Sequence, residues 1–247
     1  MTHSLQRLQK VIAQSGVTSR RKAEKLIVDG KVKVNNRTVT KLGTKVSPVD
    51  KIEVEGIPLE KEEPVYFLFY KPRGVISSVK DDKKRKVVTD FFPEVEERIF
   101  PVGRLDFNTS GLLLLTNDGD FANLLMHPKY KINKVYIAKI RGIPEKRELQ
   151  QLLKGIESGS DILKINKYQV LSIDKQKNTM ILELTLHEGK NRHIRRMMER
   201  LGYPILKLKR EKYGILTLRG MQPGDYRPLT PHEVKQMRLL AAKNVKQ

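Results

Sequence analysis

Apolar positions recur along this chain with two different periods. Leu5, Leu8, Val11 and Ile12 fall at helical spacing, and Gly16 is placed to stop that helix. Ala23, Leu26 and Ile27 form the apolar face of a second helix, which Thr18 or Ser19 caps. Residues 31–34 then alternate as a strand, Asn35-Asn36 turns the chain, and Thr38-Val39 returns. Leu42, Val46, Ile52 and Val54 continue a short meander. Residues 55–64 are rich in Pro and Glu, lack periodicity, and are expected to form a linker.

Beyond the linker the pattern predicts a larger unit. Strands are expected over 65–70, 112–116, 135–140, 180–186 and 205–208, and helices over 121–126, 144–154 and 191–201. Thr230-Pro231-His232-Glu233 is a capping box that opens a last helix through Val234, Met237, Leu240 and Ala241. Strands outnumber helices and the loops between them are mostly short. The predicted class is α+β: a small αβ module over 1–60, then a domain over 61–247 with a mixed, largely antiparallel sheet flanked by helices.

Charge changes the picture more than composition does. The 247 residues carry 49 Lys+Arg against 28 Asp+Glu, a formal net charge of +21, so a polyanionic partner is expected. No apolar run approaches a membrane span, which turns the expectation from membrane to nucleic acid. Cysteine is absent, excluding disulfides, thiol nucleophiles and Cys-based zinc sites. His187 and His193 have no third ligand at metal spacing, so no metal is expected. Residues 1–7 hold no apolar signal core, and a cytoplasmic monomer is the expected state.

The basic residues cluster. Arg20, Arg21, Lys22 and Lys25 occupy the polar face of the second helix. Between residues 190 and 212 nine Lys+Arg stand against Glu199 and Glu211, and Lys190, Arg192, Arg196, Lys209 and Arg210 are the side chains expected to grip nucleic-acid phosphates there. Residues 80–86 form a second basic loop.

One carboxylate, Asp106, lies just ahead of the four-leucine run 112–115. If 103–106 is extended, Arg104 shares a face with Asp106 and favours its ionised form, leaving a nucleophile or base. Gly111 permits close backbone approach nearby.

These residues form a recognisable set. Leu5-Gln6-Arg7-Leu8, Ser19-Arg20-Arg21-Lys22-Ala23 and Asp29-Gly30-Lys31-Val32-Lys33-Val34-Asn35 resemble the small RNA-binding module named after ribosomal protein S-four. Gly103-Arg104-Leu105-Asp106, Thr109 and Gly111 through Gly119 resemble the signature loop and strand of the pseudouridine synthases that act on ribosomal RNA. Tyr70-Lys71-Pro72-Arg73-Gly74-Val75 precedes that signature, and Lys134-Val135-Tyr136, Glu188 through Met197 and Leu208-Lys209-Arg210 follow it. The resemblance implies a catalytic Asp106, a base-stacking Tyr136, an Arg195 paired with the aspartate, and Leu208 (or Leu206) beneath the base. It implies isomerisation of a flipped-out uridine with no cofactor. The form of residues 190–197 resembles enzymes of large-subunit RNA more than those of small-subunit RNA. The rival readings are the same chemistry on small-subunit RNA, and a non-catalytic ribosome-assembly factor; the presence of both Asp106 and Tyr136 speaks against the second.

Overall fold

The computed structural model describes residues 5–245, so the start of the signal-peptide reading, residues 1–4, lies outside the described residues. The chain divides into two compact units, one of residues 1–65 with 94–99 and 117–119, the other of 66–93, 100–116 and 120–247.

In the first unit, helices α1 (Leu8–Gln14) and α2 (Arg20–Val28) pack on a small sheet of β1 (Val32–Val34), β2 (Arg37–Thr38), β3 (Ile52–Val54) and β4 (Ile57–Pro58). Leu8, Ile12, Ala23, Ile27, Val32 and Val54 form its core. The Ser19 side chain caps α2 by accepting from Lys22 N at 3.3 Å. Asn35 and Asn36 both take positive φ in the hairpin turn, as the dipeptide predicted. The linker expected over 55–64 is partly wrong. Glu55-Gly56 makes a second tight turn, and Ile57–Pro58 pairs with β3 before the chain leaves the sheet. Proline at an edge strand, which needs no N–H on its open side, hid that strand from the pattern.

The second unit is built on a nine-stranded sheet. Its long strands are β5 (Tyr66–Lys71), β6 (Thr109–Thr116), β7 (Lys134–Arg141), then, beyond the hairpin β8 (Ile156–Ser158) and β9 (Asp161–Leu163), β10 (Lys167–Asp174), β11 (Thr179–Leu186), β12 (Ile205–Tyr213) and β13 (Tyr226–Pro228). The spatial order along the sheet is β10-β11-β7-β12-β6-β5-β13. All neighbours in it are antiparallel except β6 and β12, which run parallel with Leu208 opposite Thr109 and Arg210 opposite Gly111. That single parallel pair is what makes the sheet mixed, as predicted.

Helices α3 (Gly119–Met126), α4 (Lys146–Lys154), α5 (His193–Arg200) and α6 (Pro231–Val245) flank it. Two cores result. One joins Leu112 and Leu114 to Phe121, Tyr213 and Met237, and the other joins Ala138 and Leu182 to Leu149, Met197 and Leu208. The strand β10 was not predicted. Its side chains are nearly all exposed, including Leu171 and Ile173, so the burial that makes alternation legible is missing.

Candidate active site

The site is built around the loop that carries Asp106. At Gly111 φ is +120°, and a Cβ there would lie 2.3 Å from the Arg210 carbonyl oxygen. Only glycine lets β12 run this close beside β6, and so fixes where the loop above it begins. Lys71, at the end of β5, is fully buried. Its ammonium donates to the carbonyls of Pro72 at 3.0 Å, Asp106 at 3.2 Å and Thr109 at 2.9 Å. Burial pushes its pKa down to about 8, against the opposing pull of the Asp106 charge. Ser77 Oγ donates to Leu105 O at 2.8 Å and accepts from Leu105 N at 3.1 Å. Gly74 N donates to Phe107 O at 2.8 Å. The backbone on both sides of Asp106 is therefore fastened, while its side chain faces the cleft.

The Asp106 carboxylate is 35% exposed, with Arg195 Nε 3.7 Å from Oδ2. Arg195 comes from α5 and is anchored elsewhere, its Nη2 donating to Asn108 O at 3.2 Å and Thr109 Oγ1 at 3.3 Å. Its Nε is buried with no hydrogen-bond partner among the described residues. Burial lowers the Arg195 pKa, and the Asp106 charge works against that shift. The guanidinium thus supplies positive potential without occupying the carboxylate's lone pairs, which stay available to a substrate. This corrects the assignment of Arg104 as the partner. Residues 103–106 are an irregular loop with Gly103 at φ +77°, so the two-residue same-face rule does not hold. Arg104 is exposed and lines the cleft rim instead.

The open cleft before Asp106 encloses about 880 Å³ and adjoins a recess of about 70 Å³. Asp106, Arg104, Tyr136, Lys190 and Arg192 line both. Arg195 and Leu208 line the recess, and Leu206 lines neither. Tyr136 is half-buried, and its hydroxyl accepts from Arg210 Nη1 at 3.4 Å. The sequence-predicted Asp106, Tyr136, Arg195 and Leu208 are therefore brought to one place.

The expected RNA-gripping residues separate into two groups. Arg20, Arg21, Lys22 and Lys25 are exposed on α2, and Arg192 is exposed with Glu199 at 3.0 Å. Lys190 reaches the cleft but pairs with Asp161 at 2.9 Å. The other three are held by partners within the protein. Arg196 is tied to Ser158 and, at 2.9 Å, to Asp161, so it locks α5 to the β8–β9 hairpin. Lys209 pairs with Glu211 at 2.5 Å. Arg210 is only 2% exposed and donates to Leu112 O at 2.7 Å. Charge in a sequence does not tell which side of a strand it occupies.

Sequence reasoning missed Lys71, Ser77, Arg85 and Lys134. Arg85 is held by Asp81 at 2.7 Å and lines the cleft from the 80–86 loop. Lysines at positions 71 and 134 close or open apolar strands, and a cation at a strand end inside an otherwise apolar run was the available signal. His193 is structural: buried, it accepts from Lys190 N through Nδ1 and bonds Lys164 O through Nε2. No group of three or more metal-ligating side chains occurs among the described residues. No described helix is long and apolar enough to cross a membrane.

Comparison with known proteins agrees with this arrangement. Residues 65–200 match the RNA pseudouridylate synthase family, and residues 6–52 match the S4 domain. The chain is 61% identical to the ribosomal large subunit pseudouridine synthase B of Bacillus subtilis, over 96% of this chain and 97% of that protein. It is 40% identical to an uncharacterized RNA pseudouridine synthase of Aquifex aeolicus, over 94% of this chain and 93% of that one. A solved structure described as a pseudouridylate synthase superposes with a TM-score of 0.66 at 28% identity, covering 94% of this chain and 99% of that one.

Proposed function

Because this chain belongs to the RNA pseudouridylate synthase family, we propose that it converts a specific uridine of large-subunit ribosomal RNA to pseudouridine. The observation that carries the reading is the convergence of Asp106, Tyr136, Arg195 and Leu208 on one recess that opens into a cleft. The large-subunit target is supported by the 61% identical relative named for that RNA.

A uridine reaches such a recess only after leaving its stack, at a cost of a few kcal/mol that is smallest for loops and bulges. Stacking on the Tyr136 ring returns roughly 1–3 kcal/mol. Asp106, whose carboxylate makes no hydrogen bond among the described residues, either attacks the sugar or takes a proton from it while the bond from the sugar to N1 breaks. Arg195 opposes charge build-up beside it. The freed uracil turns on the apolar Leu208 floor and its C5 bonds the sugar as Asp106 leaves it or returns its proton; C5 then loses its hydrogen as a proton and N1 gains one. Atoms and electrons balance within the nucleotide, so the isomerisation calls for no oxidant or energy source.

Residues 1–60 act in this reading as the RNA-gripping module and 61–247 as the catalytic domain, working as a monomer in the cytoplasm where ribosomal RNA is found. The experiment is tritium release from protein-free ribosomal RNA labelled at uracil C5. Release from large-subunit RNA is expected. Release confined to small-subunit RNA overturns the target, and tight binding without release from either favours an assembly factor.

A further inference from the structure

Lys134 and Arg210 stand apart from the rest of the basic surface. β7 carries Lys134 and Tyr136 two residues apart on one face, and β12 sets Tyr213 opposite Lys134 and Arg210 opposite Tyr136. Both cations line the larger cleft, yet Lys134 is 9% exposed and Arg210 2%. They flank the Tyr213 ring, Lys134 Nζ at 5.2 Å and Arg210 Cζ at 5.0 Å from its centre.

Their hydrogen bonds all go to neutral oxygens. Lys134 Nζ donates to His187 O at 2.9 Å, and Arg210 donates to Leu112 O and the Tyr136 hydroxyl. Arg210 Nη2 is buried with no partner among the described residues. Glu188 acts on Lys134 only through space, without an ion pair. The Tyr213 hydroxyl donates to Leu125 O at 2.9 Å, and burial pushes its pKa up, so it supplies no counter-charge. His187 lies nearby, and its pKa is lowered by burial and by Lys131 and Lys134, which favours the neutral ring. Burial, with Arg210 adding to it, pushes the Lys134 ammonium down to about 8. Two buried cations kept in one place without an ion-paired carboxylate among the described residues are costly. Their place on the floor of a cleft that receives a polyanion supplies a reason for keeping them.

We propose that Lys134 and Arg210 form a phosphate subsite that takes one phosphodiester flanking the target uridine and so registers its sugar over Asp106. The proposal rests on the reading of the recess as a uridine site. Two residues along a strand cover about 6.6 Å, a span that one sugar bridges between a base on Tyr136 and a phosphate at Lys134.

The test uses full-length Asp106→Asn protein, so that RNA binds without turnover. The RNA is a fragment containing the modified uridine, with methylphosphonate replacing the phosphate on its 5′ or its 3′ side, one at a time. Lys134→Gln is expected to weaken binding of the unsubstituted RNA about 10-fold, and Lys134→Arg to restore it. On one of the two methylphosphonate RNAs the Lys134→Gln penalty should vanish. An equal penalty on both overturns the subsite. So does a penalty that vanishes only when 2-pyrimidinone, which lacks the uracil O4, replaces the target base. If Lys134→Gln does not melt cooperatively, pH supplies the same readout. Binding of unsubstituted RNA should weaken as pH rises through about 8, and the matching methylphosphonate RNA should lack that weakening; a pH dependence common to all the RNAs overturns the subsite. Tritium release by the wild-type protein from the unsubstituted fragment reports separately on the uridine reading.

Discussion

The basic side chains of α2 and those around the cleft show two uses of one charge. Arg20, Arg21, Lys22 and Lys25 are exposed on the polar face of a helix whose apolar face is buried. Lys71, Lys134, Arg195 and Arg210 are buried or nearly so, and each donates to named backbone or hydroxyl oxygens. The first set has freedom to meet phosphates in many arrangements, which gives affinity and salt dependence but little geometry. The second set is fixed before substrate arrives, so it orients groups and shapes potential at the cost of desolvation. A net charge of +21 reports the sum and hides the division.

Substitutions should separate the two uses. The largest effect expected in this comparison is at Arg195. Arg195→Met removes the positive potential beside Asp106 and should lower kcat by about 10²–10³-fold with RNA affinity nearly unchanged; loss confined to affinity would move Arg195 into the gripping set.

Lys71→Met comes next. It strips three backbone carbonyls of their donor, and should lower kcat about 10-fold or more and stability by about 2 kcal/mol, read by single-turnover tritium release and urea melts. The three acceptors match an ammonium, not a neutral amine. Because burial lowers the Lys71 pKa to about 8, the clamp is whole below that pH and loses a donor as pH rises through it. Accordingly kcat at saturating RNA should decline above about pH 8, and a flat profile from neutral pH to pH 9.5 would contradict the clamp. The smallest effect on chemistry belongs to α2. Replacing Arg20, Arg21, Lys22 and Lys25 together by Ala should leave kcat within about twofold and reduce the slope of log K against log salt by about 3. An unaltered slope would remove α2 from the RNA interface.

Much of this was legible from the residues. The helices of the first unit, the capping box at Thr230, the turn at Asn35-Asn36 and the central strand all announce themselves through periodicity or turn chemistry, because each buries one face or needs a special backbone angle. The site residues Asp106, Tyr136, Arg195 and Leu208 were legible through their resemblance to a family and not through spacing. What stayed hidden is set by long-range register. Arg196 and Arg210 look like their solvent-facing neighbours until the β8–β9 hairpin and the Leu112 carbonyl are brought against them. Arg104 looked like the partner of Asp106 because two residues apart means one face in a strand, and the loop there is not a strand. Arg195, 89 positions later in the chain, takes that place through α5.

The central claim is that the Asp106 carboxylate, paired in charge with Arg195 but without a hydrogen bond among the described residues, performs the chemistry. Tritium release from C5-labelled large-subunit RNA under single-turnover conditions, with wild-type and Asp106→Asn protein side by side, tests it most directly. The substitution should cut release by at least about 10³-fold while the RNA dissociation constant stays within a few-fold. Release by Asp106→Asn at a rate near that of the wild type would contradict the account.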